Sequence, residues 1–128
     1  MSHYSMNIPV YSTKMEKVNV VAKHLMGNTY GEWLFLVGSG GNGKTMATYE
    51  GIELWKKSLG DDGEIMSVPL YAGGSAGNKI MLMKKGSPTV KTIVHVYKWS
   101  PEWEFMAKEW NATVVEFERG NEPRYIQF

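Results

Sequence analysis

Apolar positions recur at helical spacing from Met15 to Met26. Val18, Val21, Ala22 and Leu25 share that face, which predicts an amphipathic helix. Thr13 and Glu16 have the spacing of a capping box, and Gly27 is a natural stop. Residues 1–11 carry no such signal and read as a loose arm. The run "EWLFLVG" is short and almost continuously apolar, as in a strand buried on both faces. Beyond a glycine-rich segment, "TMATYEGIELWKKSLG" returns to helical spacing, with Ile52, Trp55 and Leu59 on one face. Lys56 and Lys57 suit a helix C-terminus, and Gly60 can end it. Gly51 inside this helix costs about 1 kcal/mol relative to alanine.

The second half reads mainly as strands. "EIMSVPL" is one, restricted by Pro69 to an edge or an end. "YAGGSAGN" reads as a loop, and "KIMLM", "KKGSPT" and "VKTIVHVYKW" as a long hairpin. Ser100 and Pro101 then open a helix as N-cap and first residue, with Glu102 and Glu104 in its first turn. "ATVVEFERG" is a further strand, and "PRYIQF" is a candidate for one more. Early alternation of helix and strand predicts an α/β layered fold. With 128 residues and no internal linker, the chain reads as one domain, 1–128.

The segment between the first strand and its helix carries the candidate chemistry. Gly38-Ser39-Gly40-Gly41-Asn42-Gly43-Lys44-Thr45 satisfies the phosphate-loop pattern at every specified position. The glycines let backbone N–H groups approach phosphate closely. Lys44 can reach the outer phosphates, and the Thr45 hydroxyl can ligate Mg²⁺. The following helix points its positive end at the anion. The competing reading takes Asn42-Gly43 as a hairpin turn, with "KTMATYEG" as a strand. The segment after Lys44 separates the two: a helix favours the phosphate loop, a strand the hairpin of a non-enzymatic, strand-rich binding or virion protein.

Composition adds exclusions. The chain has no cysteine, which removes disulfides, thiolate metal sites and cysteine nucleophiles. No apolar run approaches the ~18 residues of a membrane span, and the N-terminus lacks signal-peptide features, so an intracellular protein is expected. Net charge is only +1, but no Asp or Glu lies between Ile65 and Pro101, where Lys79, Lys84, Lys85, Lys91 and Lys98 do. Such asymmetry suits a polyanion, or marks an ordinary solvated face. His3, His24 and His95 lack metal-ligand spacing. Of these His95 stands nearest the lysines. Five tryptophans read mostly as core, with Trp99 and Trp103 the best candidates for stacking on bases.

"GSGGNGKT" resembles the loop of superfamily-3 viral helicases, the replication ATPases of small DNA viruses that include the Rep proteins of circular single-stranded DNA viruses. The likeness spans roughly Trp33 to Phe117. Downstream, "TIVHVYKWSPEWEFMAKEWNATVVEFE" has the family's outline, with Trp99, Pro101, Glu102 and Trp110 matching and Lys98 where the family has its sensor Asn. "IMSVPL" has the outline of the metal-binding strand, but Ser67 stands where the family has Asp and Leu70 where it has Arg. The resemblance implies a P-loop NTPase-like three-layer arrangement with a central sheet and a protruding hairpin. It implies ATP bound through Gly38–Thr45 with Mg²⁺ at Thr45. It also implies a hairpin whose tip lysines, Lys84 and Lys85, grip single-stranded nucleic acid, to which charge and stacking add Lys98 and Trp99 as candidates for DNA or RNA, and a homo-oligomeric ring in a host cytoplasm or nucleus. Only two aspartates exist, Asp61 and Asp62, both in a turn. A phosphate-loop ATPase needs a carboxylate for its metal and attacking water. Nucleotide binding is therefore the stronger expectation, hydrolysis the weaker, and no catalytic residue is assigned. Glu116 and Glu102 are the nearest substitutes.

Overall fold

The computed structural model describes residues 2–27, 33–59, 63–72, 75–84 and 90–127, with side chains described for 14–27, 33–58 and 91–127. Helices α1 (Ser2–Leu25), α2 (Lys44–Leu59) and α3 (Pro101–Glu109) accompany strands β1 (Trp33–Val37), β2 (Gly63–Ala72), β3 (Ser75–Lys84), β4 (Val90–Val96), β5 (Thr113–Glu116) and β6 (Arg124–Ile126). The strands form one mixed sheet in the order β2-β3-β4-β1-β5-β6. β1 runs parallel to both β4 and β5. The pairs β2–β3, β3–β4 and β5–β6 are antiparallel.

The apolar run of β1 is explained by burial on both faces. Leu34 and Leu36 point to one side, where they meet Val18, Val21 and Leu25 of α1 and Ala47, Ile52 and Trp55 of α2. Phe35 and Val37 point to the other, where they pack with Val94, Val96 and Val114 against Trp103 and Ala107 of α3. Two α-layers thus enclose a central sheet, an α/β arrangement. Gly51 permits the close seating of α2 on α1, because a Cβ there would come within 2.6 Å of Val21 Cγ1.

The second layer is aromatic. Phe35 meets Trp99, Trp103 and Trp110 edge-on, at centroid distances of 6.4, 5.8 and 6.0 Å. Trp33 stacks on Trp110 at 4.3 Å. With Trp55 buried under α2, all five tryptophans serve packing. The base-stacking expectation is corrected for Trp103, which is fully buried, whereas Trp99 is half-buried with its edge contact to Phe35.

Several local expectations meet the structure directly. Gly27 ends α1 with a φ of 80°, its N–H donating to His24 O at 3.1 Å. Ser100 caps α3, accepting from Trp103 N. Pro69 sits on β2, an edge strand of the sheet, where proline is tolerated. Others are corrected. Residues 2–11 are helical, so Thr13 lies inside α1 and caps nothing. The segment has no glycine before Gly27, and α1 runs through Pro9. "YAGGSAGN" is largely strand, with Ala72 paired to Ser75, while residues 73–74 lie outside the described residues. The β3–β4 hairpin lies in the sheet over seven paired positions rather than protruding, since β4 also pairs with β1. No helix among the described residues is long and apolar enough to cross a membrane.

Candidate functional site

The chain leaves β1 toward the α1/α2 layer, whereas the neighbouring parallel strand β4 leads into α3 on the opposite layer. Connections that diverge to opposite faces open a crevice at the carboxyl ends of the two strands, the favoured ligand position in an open α/β sheet. Residues 38–43 form one side of that crevice and residues 97–100 the other. The segment after Lys44 is helix, not strand. The hairpin-turn reading of "SGGNGK" is therefore corrected: helical spacing through Leu59 outweighs the local turn preference of Asn-Gly.

The loop is anchored on every side. Gly38 N donates to Val96 O at 2.9 Å, and Phe117 N to Val37 O at 2.8 Å, so both neighbouring strand exits hold its root. A Cβ at Gly38 would collide with the Phe117 carbonyl oxygen. Asn42 ties the tip down twice: its side-chain amide donates to Ser39 Oγ at 3.0 Å, and its oxygen accepts from Arg119 N at 3.1 Å. Gly41 and Gly43 have φ of 81° and 90°, in the region that favours glycine.

Two buried lysines grip the loop's carbonyls. Lys44, 5% exposed, donates to Gly38 O and, at 2.9 Å, to Ser39 O. Its Nζ lies 4.6 Å from the ring centre of Tyr97, across the crevice. Lys17 of α1, 4% exposed, donates to Asn42 O at 3.2 Å and Glu118 O at 2.7 Å. Burial lowers the pKa of both ammonium groups. The carbonyls of Gly38, Ser39 and Asn42 are thereby engaged. The N–H groups of Gly40, Gly41, Gly43 and Thr45 donate to no acceptor among the described residues. Beneath the loop, Thr48 Oγ1 lies 2.8 Å from His95 Nε2, both buried. Burial, and secondarily the Lys44 charge, pushes His95 down to about 4.

The expected residues divide. Gly38 to Thr45 form one continuous site, with the Thr45 side chain exposed at the start of α2. Lys98 is exposed and adjoins the crevice just beyond β4. Lys84 ends β3, opposite the start of β4, at the far end of the sheet, roughly 25 Å from Lys98 along the strand direction. Lys85 lies outside the described residues. Lys84 and Lys98 therefore belong to no common patch, because an antiparallel hairpin sends its tip to the opposite edge from its open end.

Mg²⁺ finds a poor donor set here. Among the described residues no three His, Cys, Asp or Glu side chains converge. Ser67, in the outline of the metal-binding strand, lies on β2, three strands away from β1, or roughly 14 Å. Glu116 pairs in register with Val37 and so shares its α3-facing side, away from α2. It accepts from Arg124 at 2.7 Å. Glu102 is exposed in the first turn of α3. Among the described side chains Thr45 offers a single exposed hydroxyl beside Lys44, and Asp61 and Asp62 lie outside the described residues.

Lys17, Thr48, His95 and Tyr97 join the site only in three dimensions. Thr48 follows Lys44 by one helical turn, and that spacing was the one sequence signal available. No protein-family model, curated protein or solved structure matches the chain.

Proposed function

We propose that this chain is a P-loop-type nucleotide-binding protein that seats the phosphates of ATP on Gly38–Thr45. The observation that carries the reading is the division of the loop's polar groups. Carbonyls are turned onto two buried lysines, while the amides of Gly40, Gly41, Gly43 and Thr45 remain available at the start of α2. Backbone amides around a helix N-terminus, with a lysine alongside, form an anion cradle. Tyr97, about half exposed, flanks the crevice where the rest of the nucleotide would leave the loop.

The P-loop NTPase-like character of the fold and its viral replication type rest on the sequence outlines and are part of the same proposal. The strand–loop–helix order and the two enclosing layers support it. Binding is the core of the reading. Hydrolysis requires a group that orients the attacking water, and Glu116 and Glu118, at and just past the β5 end beside the loop, are engaged by Arg124 and Asn121.

Titration with a fluorescent ATP analogue tests this. The wild-type chain should bind saturably, and Lys44→Ala should abolish binding with the helical signal in circular dichroism retained. Equal binding by a folded Lys44→Ala variant would sink the proposal.

A further inference from the structure

Lys17 and Lys44 are both buried and both bonded to the same loop, and neither pairs with a carboxylate among the described residues. The ion pairs among the described residues are Lys14–Glu50, Glu104–Lys108 and Glu116–Arg124. Glu118, beside Lys17, gives it only its main-chain oxygen, and its carboxylate instead accepts from Asn121 Nδ2 at 2.9 Å. A buried ammonium with no counter-charge is costly even when carbonyl oxygens satisfy its hydrogens. Two of them at one loop concentrate positive charge there.

Their placement sharpens the point. All described peptide bonds are trans, so the C=O and N–H of one peptide unit point in opposite directions. Lys17 sits on the oxygen side of the Asn42–Gly43 unit, and the Gly43 N–H points the other way. Lys44 sits on the oxygens of the Gly38–Ser39 and Ser39–Gly40 units, behind the N–H groups of Ser39 and Gly40. A cation at the oxygen end polarises the unit and strengthens its N–H as a donor. Both lysines therefore act on an anion through the loop backbone, as well as by direct charge.

In phosphate-loop ATPases a metal ion helps neutralise the phosphates, held by the loop hydroxyl and by an acid from another strand. Among the described residues no cluster of metal-ligating side chains accompanies that hydroxyl, and a second ammonium lies behind the loop. We propose that the loop takes the polyphosphate part of its ligand without a divalent cation, Lys17 of α1 supplying the positive charge that the metal would bring. This rests on the nucleotide-binding reading above and specifies its ligand as free, unchelated polyphosphate.

Calorimetric titration of ATP and inorganic pyrophosphate in excess EDTA and in millimolar MgCl₂ tests it. Wild type should bind in EDTA at least as tightly as in MgCl₂. Lys17→Met should weaken binding in EDTA about tenfold, the size expected for one charge-assisted contact. Lys17→Arg, which keeps the charge, should retain metal-free binding and serves if Lys17→Met does not fold. Binding that requires Mg²⁺ and is lost in Lys44→Ala overturns this inference while the nucleotide reading stands. Undiminished EDTA binding by folded Lys17→Met, or its loss in folded Lys17→Arg, also overturns it. Absence of binding by wild type in both buffers overturns the nucleotide reading itself.

Discussion

Thr48 Oγ1 and His95 Nε2 lie 2.8 Å apart beneath the glycine loop, and both residues are buried. The contact joins the first turns of α2 to the central strand β4. It also places an imidazole next to Lys44, whose like charge adds to burial in holding the ring neutral. The floor of the site is thus a neutral hydrogen bond under a cationic lid.

That arrangement makes stability depend on pH in a defined direction. His95 is pushed down to about 4 in the folded chain, against about 6.5 when unfolded. Between those values the unfolded state binds the extra proton, so stability rises with pH. The His95 contribution is complete above pH ~6.5 and is lost as pH falls toward ~4, at up to about 1.4 kcal/mol per pH unit and roughly 3 kcal/mol in all. Urea unfolding at pH 7 and pH 4.5 should show this drop in wild type and a clearly smaller one in His95→Gln. An equal drop in both proteins would show that His95 is not its source.

Helix α2 carries a glycine for packing reasons. Replacing Gly by Ala inside a helix ordinarily stabilises by about 1 kcal/mol, but at Gly51 the new methyl would lie 2.6 Å from Val21 Cγ1 and 2.7 Å from Val21 Cβ. Overpacking of this kind costs about 1–3 kcal/mol. Gly51→Ala should therefore destabilise the chain in denaturant titrations. Adding Val21→Ala should recover part of the loss, so that the pair is non-additive. Stabilisation by Gly51→Ala alone would mean that α1 and α2 do not pack this closely.

The loop glycines should behave unequally. Gly38 lies against the Phe117 carbonyl, with no room for a side chain, whereas a Cβ on Gly40 would meet nothing within 4 Å. Gly38→Ala should cost about 2 kcal/mol or more in unfolding free energy and displace the loop root from β5. Gly40→Ala should stay within about 0.5 kcal/mol of wild type. Comparable losses in both variants would count against the described seating of the loop on residue 117.

Much of this molecule was legible in its sequence. The apolar run at Trp33–Val37 announced a strand buried on both faces, Pro69 announced an edge, and Ser100-Pro101 announced a helix start. Those signals are local: each depends on a backbone preference or a periodicity that neighbouring residues complete. The loop pattern from Gly38 to Thr45 was also readable, because its strand and helix lie directly beside it in the chain.

Sequence reading failed locally at residues 2–11, which are helical, and over distance at the basic and aromatic residues. A hairpin lysine and a strand-end lysine looked like one basic patch until the antiparallel pairing of β3 with β4 put Lys84 and Lys98 at opposite ends of the sheet. Trp103 looked available to bases until it was found fully buried against Phe35.

By itself, then, the sequence determined the order of elements, their alternating layers and the glycine loop with its lysine. The tertiary structure decided what surrounds that loop. Lys17 comes from α1 and His95 from β4, 25 residues before Asn42 and 47 after Thr48. Parallel pairing of β1 with β4 and β5, and the packing of α1 on α2, bring them together. No local propensity encodes such meetings, because they depend on strand order and on which face each residue buries.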